Sequence, residues 1–176
     1  GVYPKDLDEA GAQIILANTY HLYMRPGDEI VKKAGGLHTF MNYHKPILTD
    51  SGGIQVFSID KLNDIKDDGV TFRSNVDGSK HFITPEKAIE IENNLGADII
   101  MAFDQCTPYG IDHKGAEKAM TRTLSWLDRC YEFHKDDNQA LFPIVQGNMY
   151  KDLRLKSLKE TIPYAKYGIG IGGLSV

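Results

Sequence analysis

The chain has 176 residues, 41% apolar and 25% charged, with seven Phe, nine Tyr and one Trp spread along it. That composition excludes a disordered chain and fits one domain with a sizeable core. A net charge of −4 and a pI near 5.8 are not the basic footprint of a nucleic-acid binder. No apolar run approaches the ~20 residues of a membrane helix, and no secretion signal opens the chain. Cys106 and Cys130 are too few for a framework of bridges or a four-ligand metal site, so a reducing, cytoplasmic setting is expected. The chain starts at Gly1 instead of Met and stops at Val176 just after a glycine cluster, which reads as a piece cut at both ends.

Apolar periodicity alternates short β-like runs with helical ones. A strand over residues 13–18 precedes a helix over 26–34, and a second strand covers 45–50. After a polar stretch over 60–69, a hairpin is expected from strands 70–74 and 80–83 around Asp77-Gly78, a common tight-turn pair. Thr84-Pro85-Glu86 reads as a helix start with a capping Thr, Pro at the first position and an acid at the positive dipole end. That helix carries Ala88, Ile91 and Leu95 on one face and stops at Gly96. A strand over 98–103 and a helix over 114–135 follow, the helix with a core stripe of Ala116, Met120, Leu124, Leu127 and Tyr131. Strand 141–146, helix 151–162 and strand 167–172 complete the series.

Strands two to five are near-continuous apolar runs, as expected of parallel strands covered on both faces. The five β units end at Asn18, Asp50, Asp104, Gln146 and Gly172, and strand carboxyl ends carry the site in barrels and doubly wound sheets alike. A complete barrel needs eight units and about 250 residues. The fold class is therefore α/β: a partial (β/α)₈ barrel of the TIM type with a hairpin insertion, all of residues 1–176 forming one incomplete barrel domain. An open five-stranded sheet is the rival.

Four corners could carry chemistry. Asp50-Ser51-Gly52-Gly53 places a carboxylate beside backbone that a ligand can approach closely; a plain Asx turn reads equally from the tetrapeptide. Asp104, followed by Gln105 and Cys106, can only accept hydrogen bonds when ionised, so two parallel donors such as guanine N1–H and N2–H₂ match it; a turn-capping Asp is the bland alternative. Cys106 reads as a small hydrophobe, since no His adjoins it in sequence. Gln146 offers a donor and an acceptor to a heterocycle's edge or to solvent. The formal G-x-G-x-x-G at Gly168, Gly170 and Gly173 is not a dinucleotide site, because neither the following helix nor the acid about 20 residues on is present. The six histidines lack metal-ligand spacing, so no metal site is expected in this chain. Lys151, Arg154, Lys156 and Lys159 read as a solvated helix face or a phosphate contact.

Taken in order, a set of stretches resembles the tRNA-guanine transglycosylase (queuine tRNA-ribosyltransferase) family. They are Asn18-Thr-Tyr-His-Leu22 with Arg25-Pro-Gly27, Thr49-Asp-Ser-Gly-Gly53 with Gln55-Val56, and Gly69-Val-Thr-Phe72 with Asp77-Gly-Ser-Lys80. Thr84-Pro85-Glu86, Met101-Ala-Phe-Asp104 with Cys106-Thr-Pro108, Gln146-Gly147 and Gly172-Gly-Leu-Ser-Val176 complete it. The resemblance implies an irregular (β/α)₈ barrel that exchanges the wobble guanine of tRNA for the 7-deazaguanine preQ1 in queuosine biosynthesis, through a covalent enzyme–tRNA intermediate. By the same match Asp104 would bind the base's N1/N2 edge, with Gln146 and the Gly173 amide at O6 and the Leu174 carbonyl at the aminomethyl group. Asp50 would act as acid/base or ribose contact, with Ser51, Cys106 and Gly172 beside it in the site. Val176 matches the bacterial, preQ1-using type. Ile54 departs from an aromatic that stacks on the base, which implies weaker base affinity.

The family's nucleophilic Asp and its three-Cys, one-His zinc site match nothing in residues 1–176. The resemblance therefore implies Zn²⁺ held outside this chain and no base exchange by the chain alone. The implied partners are the tRNA anticodon loop, guanine or preQ1, and a second copy in a full-length homodimer, with no membrane. A non-catalytic tRNA-binding homologue and a barrel enzyme that uses the glycine cluster for phosphate are the competing readings.

Overall fold

The computed structural model describes residues 1–53, 55 and 64–174. Helix α1 (Pro4–Glu9) precedes strand β1 (Ile15–Asn18) and the short helices α2 (Thr19–Met24), α3 (Asp28–Lys33) and α4 (Leu37–Met41). Strand β2 (Ile47–Asp50) is followed by β3 (Asp64–Lys66), β4 (Gly69–Arg73) and β5 (Lys80–Ile83). Then come α5 (Pro85–Leu95), β6 (Ile99–Met101), α6 (His113–Phe133), β7 (Ala140–Phe142) and β8 (Ile144–Val145). Helix α7 (Lys151–Thr161), a 3₁₀ turn (Ile162–Tyr164) and β9 (Gly170–Ile171) end the series.

The parallel strands pair in the order β1-β2-β6-β7, and β8, which continues β7 past Pro143, pairs in parallel with β9. Spatial order follows chain order, without the reversal that gives a doubly wound sheet its switch point. The expected hairpin is present, with Val70 opposite Ile83 and Arg73 opposite Lys80. It is one strand larger than the sequence indicates, since Asp64–Lys66 pairs with β4.

Among the described residues, helices cover only one face of the parallel sheet. Ile47, Thr49, Ile100, Leu141 and Val145 are buried beneath them, together with Ala88, Ile91 and Leu95 of α5 and Trp126 and Leu127 of α6. The alternate side chains point the other way, and Leu16 and Ile171 remain 65% and 70% exposed. This corrects the expectation of strands covered on both faces: apolar residues stand on both sides, but the described chain covers only one. The core stripe of α6 also stops short of Tyr131, which is exposed. Local signals held where they were strong: the Thr84 hydroxyl accepts from Lys87 N–H, and Gly96 closes α5 in the left-handed region at φ 72°.

Glu92 of α5 is fully buried between β2 and β6. Its Oε1 accepts from the Thr49 hydroxyl (3.1 Å) and from Met101 N–H (3.2 Å), while Oε2 has no hydrogen-bond partner among the described residues. Burial pushes this carboxyl well above the usual glutamate range. A raised carboxyl stabilises the fold at low pH and loses that contribution as pH rises through its folded value. Glu92→Gln keeps the Oε1 acceptor and removes the ionisation cost. It is expected to raise Tm by about 2–4 °C, the size of ~1 kcal/mol in a domain of this length, with a gain that grows with pH. Melting curves across pH check this; a pH-independent loss of Tm contradicts it.

Candidate functional site

A cavity of about 310 Å³ opens at the carboxyl ends of the parallel strands, at the small end of the range for small-molecule sites. Its floor is the uncovered sheet face, with Leu16, Leu48, Met101, Ile144 and Ile171. Its rim carries Asp50, Ser51, Gly53, Gln55, Asp104, Cys106, Gln146, Gly172 and Gly173. Seven residues named from the sequence thus share one hollow: Asp50, Ser51, Asp104, Cys106, Gln146, Gly172 and Gly173. Leu174 is exposed and is not among the lining residues. Ile54 and Val176 lie outside the described residues.

Asp104 is buried at the bottom of the rim. Ser51 Oγ donates to its Oδ1 at 2.8 Å, and Gln146 Nε2 donates to its Oδ2 at 2.6 Å. A carboxylate has about four lone-pair sites, so these contacts leave one acceptor position free on each oxygen. Two parallel donors on a flat ligand edge fit what remains. Burial raises the Asp104 carboxyl, the Gln146 and Ser51 hydrogen bonds oppose that rise, and the nearby Asp50 charge adds to it.

Asp50 is engaged differently. Its Oδ1 accepts from Thr19 N–H and Gly52 N–H, both at 3.1 Å, and its Oδ2 accepts from Asn18 Nδ2 at 2.7 Å. One lone pair on Oδ2 is left, which suits a single proton or hydroxyl. Burial raises this carboxyl too, against its three donors. Cys106 is a poor nucleophile here, since burial, with Asp104's charge, raises its thiol.

Backbone approach sets the walls. A Cβ at Gly53 would sit 2.7 Å from the Asp104 carbonyl oxygen, and one at Gly172 would sit 2.5 Å from Gln146 Nε2; real Cβ atoms do not come so close. Gly172→Ala is therefore expected to push the Gln146 amide off Asp104 and to weaken ligand binding by ~10-fold, about one hydrogen bond. Calorimetric titration of the variant measures the change, and an unaltered affinity contradicts it.

Sequence reasoning placed Asn18 at a strand end without giving it a role, and it missed Asn148 and the inward contact of Arg154. Asn18 sits at a strand end in register with Asp50, so the strand-end rule applied to Asp50 extends to it. Asn148 is buried and at φ 50°, a conformation that Asn adopts more readily than most residues. Arg154, read as part of a solvated basic face, instead reaches back across the loops: its Nη1 donates to Gly172 O at 3.0 Å and to Asn148 O at 3.3 Å.

Among the described residues no three His, Cys, Asp or Glu side chains come together in a way that could hold a metal ion. Cys130 is buried under α5, where its thiol faces the Pro85 carbonyl, and Cys106 lines the cavity. Zinc has no ligand set in the described residues. None of their helices is long and apolar enough to cross a membrane.

The family model described as "Queuine tRNA-ribosyltransferase" matches residues 1–176. The chain belongs to the queuine tRNA-ribosyltransferase family. It is 60% identical to a queuine tRNA-ribosyltransferase of Acetivibrio thermocellus over 177 residues, covering 100% of this chain and 47% of that protein. It is 56% identical to those of Halothermothrix orenii and Desulforamulus reducens, each over 98% of this chain and 46% and 47% of the relative. The chain spans about half the length of these relatives.

Proposed function

We propose that this chain is the base-recognition part of a tRNA-guanine transglycosylase, which replaces the wobble guanine of a tRNA anticodon by preQ1 in the cytoplasm. The observation that carries the reading is the free acceptor pair on Asp104, flanked by the Gln146 amide and the Gly172-Gly173 backbone. Guanine and preQ1 share the edge that fits it. N1–H and N2–H₂ donate to the two Asp104 oxygens, while the exocyclic oxygen accepts from the second Nε2 hydrogen of Gln146 and from Gly173 N–H. The Leu174 carbonyl, further along the same turn, would receive the aminomethyl group of preQ1.

The exchange is a double displacement at ribose C1′. A carboxylate bonds to C1′ as the C1′–N9 bond to guanine breaks, and guanine leaves with a proton on N9. The N9 of preQ1 then displaces the carboxylate and loses its proton. Asp104 is committed to the base edge and Asp50 is held by three donors, so the nucleophile is assigned to neither. Asp50, with one open lone pair, is the proton carrier or ribose contact at this step. The target base must leave its stack, which is cheapest in an anticodon loop.

The in-order parallel strands with helices on one face are five units of an eight-unit barrel, and the rest of the barrel would cover the apolar floor at Leu16 and Ile171. A phosphate ester suits the glycine cluster by itself, but the two carboxylates on the same rim would repel it.

Calorimetry with guanine, preQ1 and a sugar phosphate, alongside incorporation of labelled guanine into tRNA, tests the reading. Base binding without exchange by the 176-residue chain is expected. Exchange by this chain alone, or a preference for the phosphate ester, overturns it.

A further inference from the structure

Three loops meet at the rim of the cavity, and one pair of side chains ties them together. Asn148, in the turn between β8 and α7, donates from Nδ2 to Thr107 Oγ1 and to Pro108 O, both at 3.0 Å. It thereby fixes the loop that follows Asp104 and Cys106. Its own carbonyl accepts from Arg154 Nη1, which also holds Gly172 O, in the loop after β9. The backbone N–H of Gln146 is held separately, by the buried hydroxyl of Ser157 on α7. Helix α7 thus grips both loops that follow the last two parallel strands.

The contact with Gly172 O has a directional consequence. The Gly172 C=O and the Gly173 N–H belong to one peptide unit, and in a planar trans unit they point in opposite directions. Arg154 does not line the cavity, whereas Gly172 and Gly173 do. Gly173 N–H donates to nothing among the described residues. We infer that Arg154 is a positioning residue that holds the Gly172-Gly173 peptide so that the Gly173 N–H faces the cavity and discriminates for a carbonyl oxygen on the bound base. This rests on the base-binding reading above and adds the residue that sets the donor's orientation. Without the guanidinium, nothing else described holds Gly172 O, and the peptide is free to turn its own oxygen inward, where it would repel a ligand carbonyl.

The test compares guanine with 6-thioguanine, which keeps N1–H and N2–H₂ and replaces only the carbonyl oxygen by sulfur, a weaker acceptor. The protein should prefer guanine by ~10-fold, about one hydrogen bond. In Arg154→Met the preference should fall to about 2-fold, mostly by loss of guanine affinity, and Arg154→Lys, which keeps one cationic donor, should recover most of it. Equal weakening of both ligands in Arg154→Met would show a general structural role and overturn the proposal, as would an unchanged preference. A parent protein that binds neither base defeats the base-binding reading and the Arg154 assignment together, whereas binding with no Arg154 effect defeats the assignment alone. The amide resonance of Gly173 in the parent protein gives a readout independent of any variant's folding. It should shift downfield with guanine and much less with 6-thioguanine, and equal shifts overturn the proposal.

Discussion

Replacing Asp104 by Asn is expected to abolish guanine binding while leaving the fold intact. The substitution is nearly isosteric, yet an amide presents one acceptor and one donor where the carboxylate presents two acceptors. Ser51 Oγ and Gln146 Nε2 already spend one lone pair on each oxygen. In the variant, one of the two parallel donors of the base edge meets an N–H₂ group. A buried donor without a partner costs ~1–3 kcal/mol, and the loss of a charged acceptor costs a similar amount. Together they should weaken guanine by 100-fold or more, roughly 2.7 kcal/mol at the least.

Stability should move the other way. Because burial raises the Asp104 carboxyl, the folded chain binds that proton more tightly than the unfolded chain. Its contribution to stability is complete at low pH and is lost as pH rises through the folded value. At neutral pH the Asn variant should melt no lower than the parent. The same shift predicts that guanine affinity in the parent rises with pH above the ordinary aspartate range and then levels off as the carboxylate becomes fully ionised. Titrations and melting curves on both proteins check the pair of effects, and a variant that binds guanine within threefold of the parent contradicts the assignment.

Trp126→Ala should be the most destabilising single change. Trp126 is fully buried on α6, stacks on Phe103 with ring centroids 5.0 Å apart, and donates from Nε1 to the carbonyl of Asp67 at 2.7 Å. It joins three parts of the fold: the long helix, the residue preceding Asp104, and the turn between β3 and β4. Removing a buried indole costs ~3–5 kcal/mol, which at ~2–4 °C per kcal/mol for a domain of this size lowers Tm by about 10 °C. Trp126→Phe keeps most of the stack and loses the hydrogen bond, so it should cost only ~1 kcal/mol. Calorimetric melting of both variants resolves the two contributions. A fall of less than about 3 °C in Trp126→Ala would show that the site closes over the lost volume.

Some of the site was legible because strand ends are legible. A run such as Ile47-Leu48-Thr49 followed by Asp50, or Ile99-Ile100-Met101 shortly before Asp104, locates a polar group at the rim without knowledge of its neighbours. The cap at Thr84, the stop at Gly96 and the hairpin around Asp77-Gly78 were legible for a related reason: each is decided within a few residues by backbone chemistry. Helices α1, α2 and α4, each five or six residues long, were not. The strand over 167–172 shrinks to two residues, because glycine-rich backbone pairs only where its neighbour permits.

The sequence by itself determined the order of β and α units, the residues standing at the strand ends, and, through its motifs, the family. Only the tertiary structure decided that Asp50 keeps one open lone pair whereas Asp104 keeps two, that Arg154 turns inward onto Gly172 O, and that Glu92 is buried with Oε2 unpartnered among the described residues. Each of these rests on at least one contact between residues 18 to 53 positions apart. Local propensity acts over a few neighbours along the chain, whereas the lone pairs left for a ligand depend on which distant donors the packed strands bring within about 3 Å.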